Sequence, residues 1–197
     1  MALELGILVA DPAMLGRALD LARNSDEAQL FLMDEGVRAI GEARLRAAID
    51  DGLDASLCAM DAEARGLLPV AGGPRFGSQW DHAVMVRDAA RVVAMTGGRI
   101  DDNDGARPGP GRRVAVKLTR DARDPKIAQA LRAAVGYATA ELSVVVVVEP
   151  PARDLLMHDE HSPPIVRAMA TLRALGHRFV EVATTNHRVS CDIEVSW

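Results

Sequence analysis

The chain alternates short, continuous apolar runs with longer segments whose apolar residues recur at helical spacing. Leu5-Gly-Ile-Leu-Val-Ala10 is apolar throughout and of strand length, which suits a strand covered on both faces. Asp11-Pro12 then offers an N-cap and a first helical residue, and Met14, Leu15, Ala18, Leu19 and Ala22 carry the helical pattern to about Arg23. After the turn residues Asn24-Ser25-Asp26 a second buried strand is predicted over Gln29–Met33, closed by Asp34-Glu35-Gly36. A helix over Glu42–Asp50 ends at Gly52 as its C-cap, and a short strand, Ala55–Leu57, runs straight into a helix beginning near Met60. Pro69–Gly77 reads as a glycine- and proline-rich loop, followed by a helix over Ser78–Asp88 and a last strand, Arg91–Met95. Strands alternating with helices imply a parallel sheet flanked by helices.

From Gly97 to Gly111 the chain turns to Gly, Pro, Asp and Arg, a composition that buries no apolar surface and is expected to be a flexible linker. Beyond it the same order begins again. Val114–Thr119 is strand-like, Asp124-Pro125 repeats the helix start, and Ile127, Leu131, Ala134 and Val135 continue that helix. The valine run Val144–Val148 is a strand by β-branched preference, Ser162-Pro163 caps a helix carrying Ile165, Val166, Met169 and Leu172 to Gly176, and Phe179–Val182 is the next strand. This recurrence reads as an internal duplication, with repeats over residues 1–96 and 112–197 and the linker, 97–111, between them. Asn186–Cys191 leaves little room for a counterpart of the helix near Met60, so a shortened sheet edge is expected in the second repeat.

Composition narrows the picture. A chain of 197 residues, 49% hydrophobic but only 3% aromatic, must build an aliphatic core. A net charge of -5 provides no basic field for nucleic acid or an anionic membrane, so neither partner is expected. The longest strong apolar run, Leu142–Val148, falls well short of the roughly 20 residues of a membrane span. The opening Met-Ala-Leu-Glu-Leu-Gly lacks a signal peptide's basic region, and a cytoplasmic protein is expected. Two distant cysteines make no disulfide framework.

The candidate chemistry lies at Cys58, where the strand Ala55–Leu57 meets its helix. Unpaired N–H groups at a helix start favour a nearby anion, and a thiolate there is a stronger nucleophile. Asp61 and Glu63 in the same turn oppose a thiolate, with Arg65 close enough in sequence to offset them. The competing reading is a small buried hydrophobe with no chemistry.

The first half resembles the DsrE/DsrF-like sulfur-relay proteins, which include the Tus proteins of tRNA thiolation. The carrying features are Leu5-Gly-Ile-Leu-Val9, Phe31-Leu-Met-Asp-Glu-Gly-Val37, the strand and cysteine before Glu63-Ala-Arg-Gly66, and Asp81–Ala90 leading into Arg91-Val-Val-Ala94. The resemblance implies flavodoxin-like halves as two tandem repeats, and a sulfane sulfur carried as a persulfide on Cys58 and passed to a small thiol carrier protein, with no cofactor. It also implies a homotrimer that reproduces the six-domain body of single-repeat relatives. Val182 stands where the second repeat would need its cysteine, so that copy carries no persulfide. The alternative is a non-catalytic assembly or binding module that keeps the fold, with Cys58 structural.

Other candidates carry weaker chemistry. Cys191 opens the last expected strand, Ile193–Val195, and reads as structural. His158-Asp-Glu-His161 has imidazoles and carboxylates together but no cysteine pair, and reads as a solvated turn rather than a metal site. His82 is expected to be a partly exposed helix residue, or a base lining the Cys58 pocket. Gly72–Gly77 matches no phosphate-binding fingerprint and is expected to be a mobile loop over the cysteine.

Overall fold

The computed structural model describes residues 3–105, 107–157, 161–185, 187 and 189–197, which form two compact units, Met1–Pro108 and Gly109–Trp197. In the first unit the strands are β1 (Leu5–Val9), β2 (Ala28–Leu32), β3 (Asp54–Cys58), β4 (Arg75–Gly77), β5 (Arg91–Thr96) and β6 (Arg99–Asn103). They form one sheet in the order β4-β3-β2-β1-β5-β6, parallel except between β5 and β6. Its helices are α1 (Leu15–Arg23), α2 (Ala43–Asp50), the short α3 (Ala59–Glu63) and α4 (Gln79–Asp88).

Local chemistry accounts for most of these elements. Asp11 accepts a hydrogen bond from Ala13 N at 3.0 Å and starts a 3-10 turn, Pro12–Met14, that leads into α1. Ser78 and Asp81 form a reciprocal capping box at the start of α4. Ile7, Leu8 and Val9 of the central strand are wholly buried, because helices lie on both faces. Leu15 and Leu19 of α1 and Leu45 of α2 join Ile7, Val9, Leu30, Leu32 and Leu57 in one core. The opposite face is covered by α4, whose His82 ring stacks on Phe31 with centroids 5.0 Å apart.

The second unit has β7 (Arg113–Leu118), β8 (Ser143–Val148), β9 (Arg178–Glu181) and β10 (Ile193–Ser196), all parallel in the order β10-β7-β8-β9. Its helices are α5 (Pro125–Thr139), α6 (Asp154–Met157) and α7 (Pro163–Ala174). Asp124 caps α5 by accepting from Lys126 N at 2.9 Å. The spatial order β9-β8-β7-β10 follows the order β3-β2-β1-β5 of the first unit. Between β9 and β10 no helix forms among the described residues.

Three expectations need correction. Residues 99–103, assigned to a linker from their polarity, are strand β6. Gly97 and Gly98 have φ of 54° and 83°, a tight turn that lets the chain double back along β5. Arg91 grips Asp102 through two hydrogen bonds of 2.8 and 2.7 Å across that pair. An edge strand needs little apolar surface, and acidic side chains there discourage further pairing. The glycine-rich stretch before α4 likewise ends in an edge strand, β4, pairing with β3. Ser162 precedes α7 but makes no side-chain cap.

The sharpest steric constraint lies at the end of β2. There Asp34 adopts φ 51° and the chain enters a 3-10 helix, Asp34–Gly41, pressed onto the end of β1. A Cβ on Gly36 would stand 2.2 Å from the Val9 carbonyl oxygen, so only glycine fits. We expect Gly36→Ala to cost on the order of 3 kcal/mol, measured by urea unfolding, because backbone rather than a flexible side chain must move. Gly41→Ala, with open space around the added methyl, should change stability by less than about 0.5 kcal/mol.

Candidate functional site

Cys58 ends β3 and acts as the N-cap residue of α3, at the carboxyl end of the parallel strands. This is the edge where open α/β sheets place ligands. Its side chain lies on the α4 face and is closed from solvent, the residue being 2% exposed. Gln79 Nε2 donates to the sulfur at 3.7 Å from the first turn of α4. Gly77 of β4 lies opposite Cys58 in register, so the expected loop over the cysteine is here a paired strand.

Immediately beyond Cys58 the charges are already committed to one another. Arg65 Nη2 donates to Asp34 Oδ1 at 2.9 Å and to Glu35 Oε1 at 2.7 Å. Its Nη1 donates to the Asp61 carbonyl at 3.0 Å and lies 4.0 Å from the Asp61 carboxylate. Asp61 Oδ2 in turn accepts from the Asp34 backbone N–H at 2.8 Å. Burial works against the Arg65 charge, yet the hydrogen bond to Glu35 and the three carboxylates raise its pKa above the usual arginine value. The Glu35 carboxyl is held below its ordinary range, first by its hydrogen bond to Arg38 and then by Arg65. Arg65 therefore neutralises carboxylates and is not directed to the thiol. From sequence Asp34 and Glu35 end a strand and fall in the Phe31–Val37 segment of the resemblance, and the acidic pair before Gly36 is the signal that a cation must meet them.

His82 corrects a further expectation. It is wholly buried between α4 and the sheet, stacked on Phe31, with Nδ1 3.3 Å from Gln79 Oε1. Burial pushes its pKa down to about 3, so the ring is neutral at physiological pH. Helical periodicity alone left its face unassigned. In the structure His82, Ala83, Met85 and Val86 all point inward.

The remaining candidates lie elsewhere. Cys191 is half-buried in the second unit beside Ala115, Val147 and Val182, and burial, then Glu194, raises its thiol pKa. His161 Nε2 lies 2.9 Å from the Leu155 carbonyl oxygen. His158 is outside the described residues. Among the described residues no three His, Cys, Asp or Glu side chains gather so as to hold a metal ion, and no helix is long and apolar enough to cross a membrane.

No family model matches the chain, and no curated protein matches it. Among solved structures it is similar to the crystal structure of the cytoplasmic domain of a prokaryotic cation chloride cotransporter. The identity is 12% over 100% of this chain and 86% of that one, with a TM-score of 0.34, a likeness that carries no argument.

Two outcomes follow from this geometry. Arg65→Met leaves the buried Asp34 and Asp61 carboxylates without their cation and should cost about 3 kcal/mol in urea unfolding at pH 7. For His82 the folded pKa lies below the unfolded value near 6.5, so the unfolded state takes up the proton first and stability falls as pH drops from 6.5 toward 3. His82→Phe, which keeps a ring on Phe31, should remove about 1.6 kcal/mol of the stability lost between pH 6.5 and 5, read by unfolding at both pH values.

Proposed function

We propose that the chain is a non-catalytic assembly or binding module of two tandem, like-ordered α/β repeats, in which Cys58 is a packed structural thiol. One observation carries this reading: the Cys58 side chain is closed from solvent, with Gln79 donating to its sulfur. Thiol exchange needs an accessible thiolate and benefits from nearby positive charge. Here Arg65, the cation near α3, is bound to Asp34, Glu35 and the Asp61 backbone. The shared order of the four parallel strands in each unit supports a duplicated origin, and the homotrimer implied by the sulfur-relay resemblance is the assembly to look for.

A sulfur relay keeps one support, the place of Cys58 at the carboxyl end of β3. In that reading the thiolate attacks a sulfane sulfur. A new sulfur–sulfur bond forms on Cys58 as the donor's breaks and its thiolate leaves, and a carrier thiol later collects the sulfur.

Intact mass after incubation with polysulfide separates the two. The expected result is no sulfur gained on Cys58 in the native protein, and alkylation of Cys58 only after denaturation. A gain of one sulfur that is absent from Cys58→Ser, retained by Cys191→Ser, and passed to a thiol carrier would establish the relay instead. Light scattering should give about three times the 21.0 kDa chain mass if the trimer forms.

A further inference from the structure

A second feature of the α4 face is a cleft of about 150 Å³ between α4 and the strands β2 and β3. Register places Phe31, Ser56 and Arg75 side by side across β2, β3 and β4, so their side chains share the face that α4 covers. Phe31 and Ser56 line the inner wall, Val84 and Met85 of α4 line the other, and Trp80 stands at the mouth.

The lining includes a hydroxyl. Ser56 is 8% exposed and lines the cleft, and its hydroxyl is not one of the buried polar atoms that folding leaves unpaired. A hydroxyl on the wall of an open cleft can exchange water for a ligand's polar group at a net gain of about 1 kcal/mol, or roughly fivefold in affinity. Trp80 is 50% exposed although it lies beside an apolar wall. A cleft of about this volume is the size that holds a single aromatic ring. Phe31 lines the cleft but is 1% exposed with its ring stacked on His82, so Trp80 supplies the ring face on which a ligand ring can pack.

The rim selects charge. Asp81 is held by Arg75 Nη1 at 2.9 Å and by the Ser78 capping box, whereas Asp54 accepts only from the neutral Gln29 Nε2, at 2.9 Å, and forms no ion pair among the described residues. The excess is negative, and Trp80 adds an aromatic face that attracts cations. A positively charged or neutral substituent is favoured at the mouth, and a carboxylate is opposed.

We propose that this cleft binds a single-ring aromatic amine whose ring packs on Trp80, whose hydroxyl-type substituent meets Ser56, and whose ammonium faces Asp54. Resting on the reading of the chain as a binding module, the ring site gives that module a ligand class. It uses neither cysteine, so loss of ring binding and persulfide formation on Cys58 are separate results.

The test is calorimetric titration of the full chain with tyramine, with p-cresol and 4-hydroxyphenylacetate as neutral and anionic comparators. Tyramine should bind saturably, more tightly than p-cresol, and the carboxylate most weakly. Ser56→Ala should weaken tyramine about fivefold to tenfold, the loss of one hydrogen bond. Trp80→Ala, at a half-exposed position that leaves the core intact, should weaken it at least as much. Asp54→Asn should narrow the preference for tyramine over p-cresol. Circular dichroism would establish that each variant is folded. Absence of saturable tyramine binding, binding unchanged in both Ser56→Ala and Trp80→Ala, or tighter binding of the carboxylate would overturn the proposal.

Discussion

The Arg65 guanidinium reaches three carboxylates at the carboxyl end of the first sheet, sharing Glu35 with Arg38, and the local geometry depends on it. Asp34 lies in a left-handed backbone conformation that only surrounding structure can hold, and Gly36 beside it touches the Val9 carbonyl. Arg65 reaches back from the turn after α3 to Asp34 and Glu35, while Asp61 accepts the Asp34 N–H. The 3-10 helix after β2 and the turn after Cys58 are thereby tied together. Without the cation, two largely buried carboxylates would repel each other where the backbone is already strained.

That commitment decides what the neighbouring thiol experiences. A cysteine before a helix has the backbone arrangement for thiolate stabilisation, but α3 is a single short helix with Asp61 in its first turn. The nearby cation is directed away from the sulfur, and α4 closes over it through Gln79. The same helix holds His82 neutral against Phe31. What α4 leaves open is a small cleft farther along β3, under Trp80.

The second unit meets the same face of its sheet with different material. In the first unit α4 connects the strands on that side, whereas the described residues between β9 and β10 hold no helix. Val189 and Cys191 of this connection pack against Ala115, Val147 and Val182. Lys117, only 2% exposed, pairs with Glu194 of β10 at 2.8 Å. A buried ion pair is a poor source of stability compared with apolar packing, but either charge left alone there would be costly. The valine-rich β8 supplies the apolar part of this surface.

Much of the architecture was legible in the residues because its causes are local. Apolar runs covered on both faces, β-branched valines and the Asp-Pro helix starts at Asp11 and Asp124 act within a few residues, and they marked the parallel strands and the principal helices. Edge strands were not legible. β6 is polar and held by its partner β5, and β4 is three residues long, so neither has a hydrophobic pattern of its own. The candidate thiol was found by its place between a strand and a helix, but its environment is set by residues far away in the chain. Gln79 meets Cys58 across 21 positions, and Arg65 meets Asp34 across 31. Sequence by itself determined where Cys58 falls and which segments become strands and helices, since backbone preference and periodicity are short-range. Only the tertiary structure decided that the thiol is covered, that Arg65 serves carboxylates and that Ser56 faces an open cleft, because burial and charge pairing depend on what packs against a residue from elsewhere.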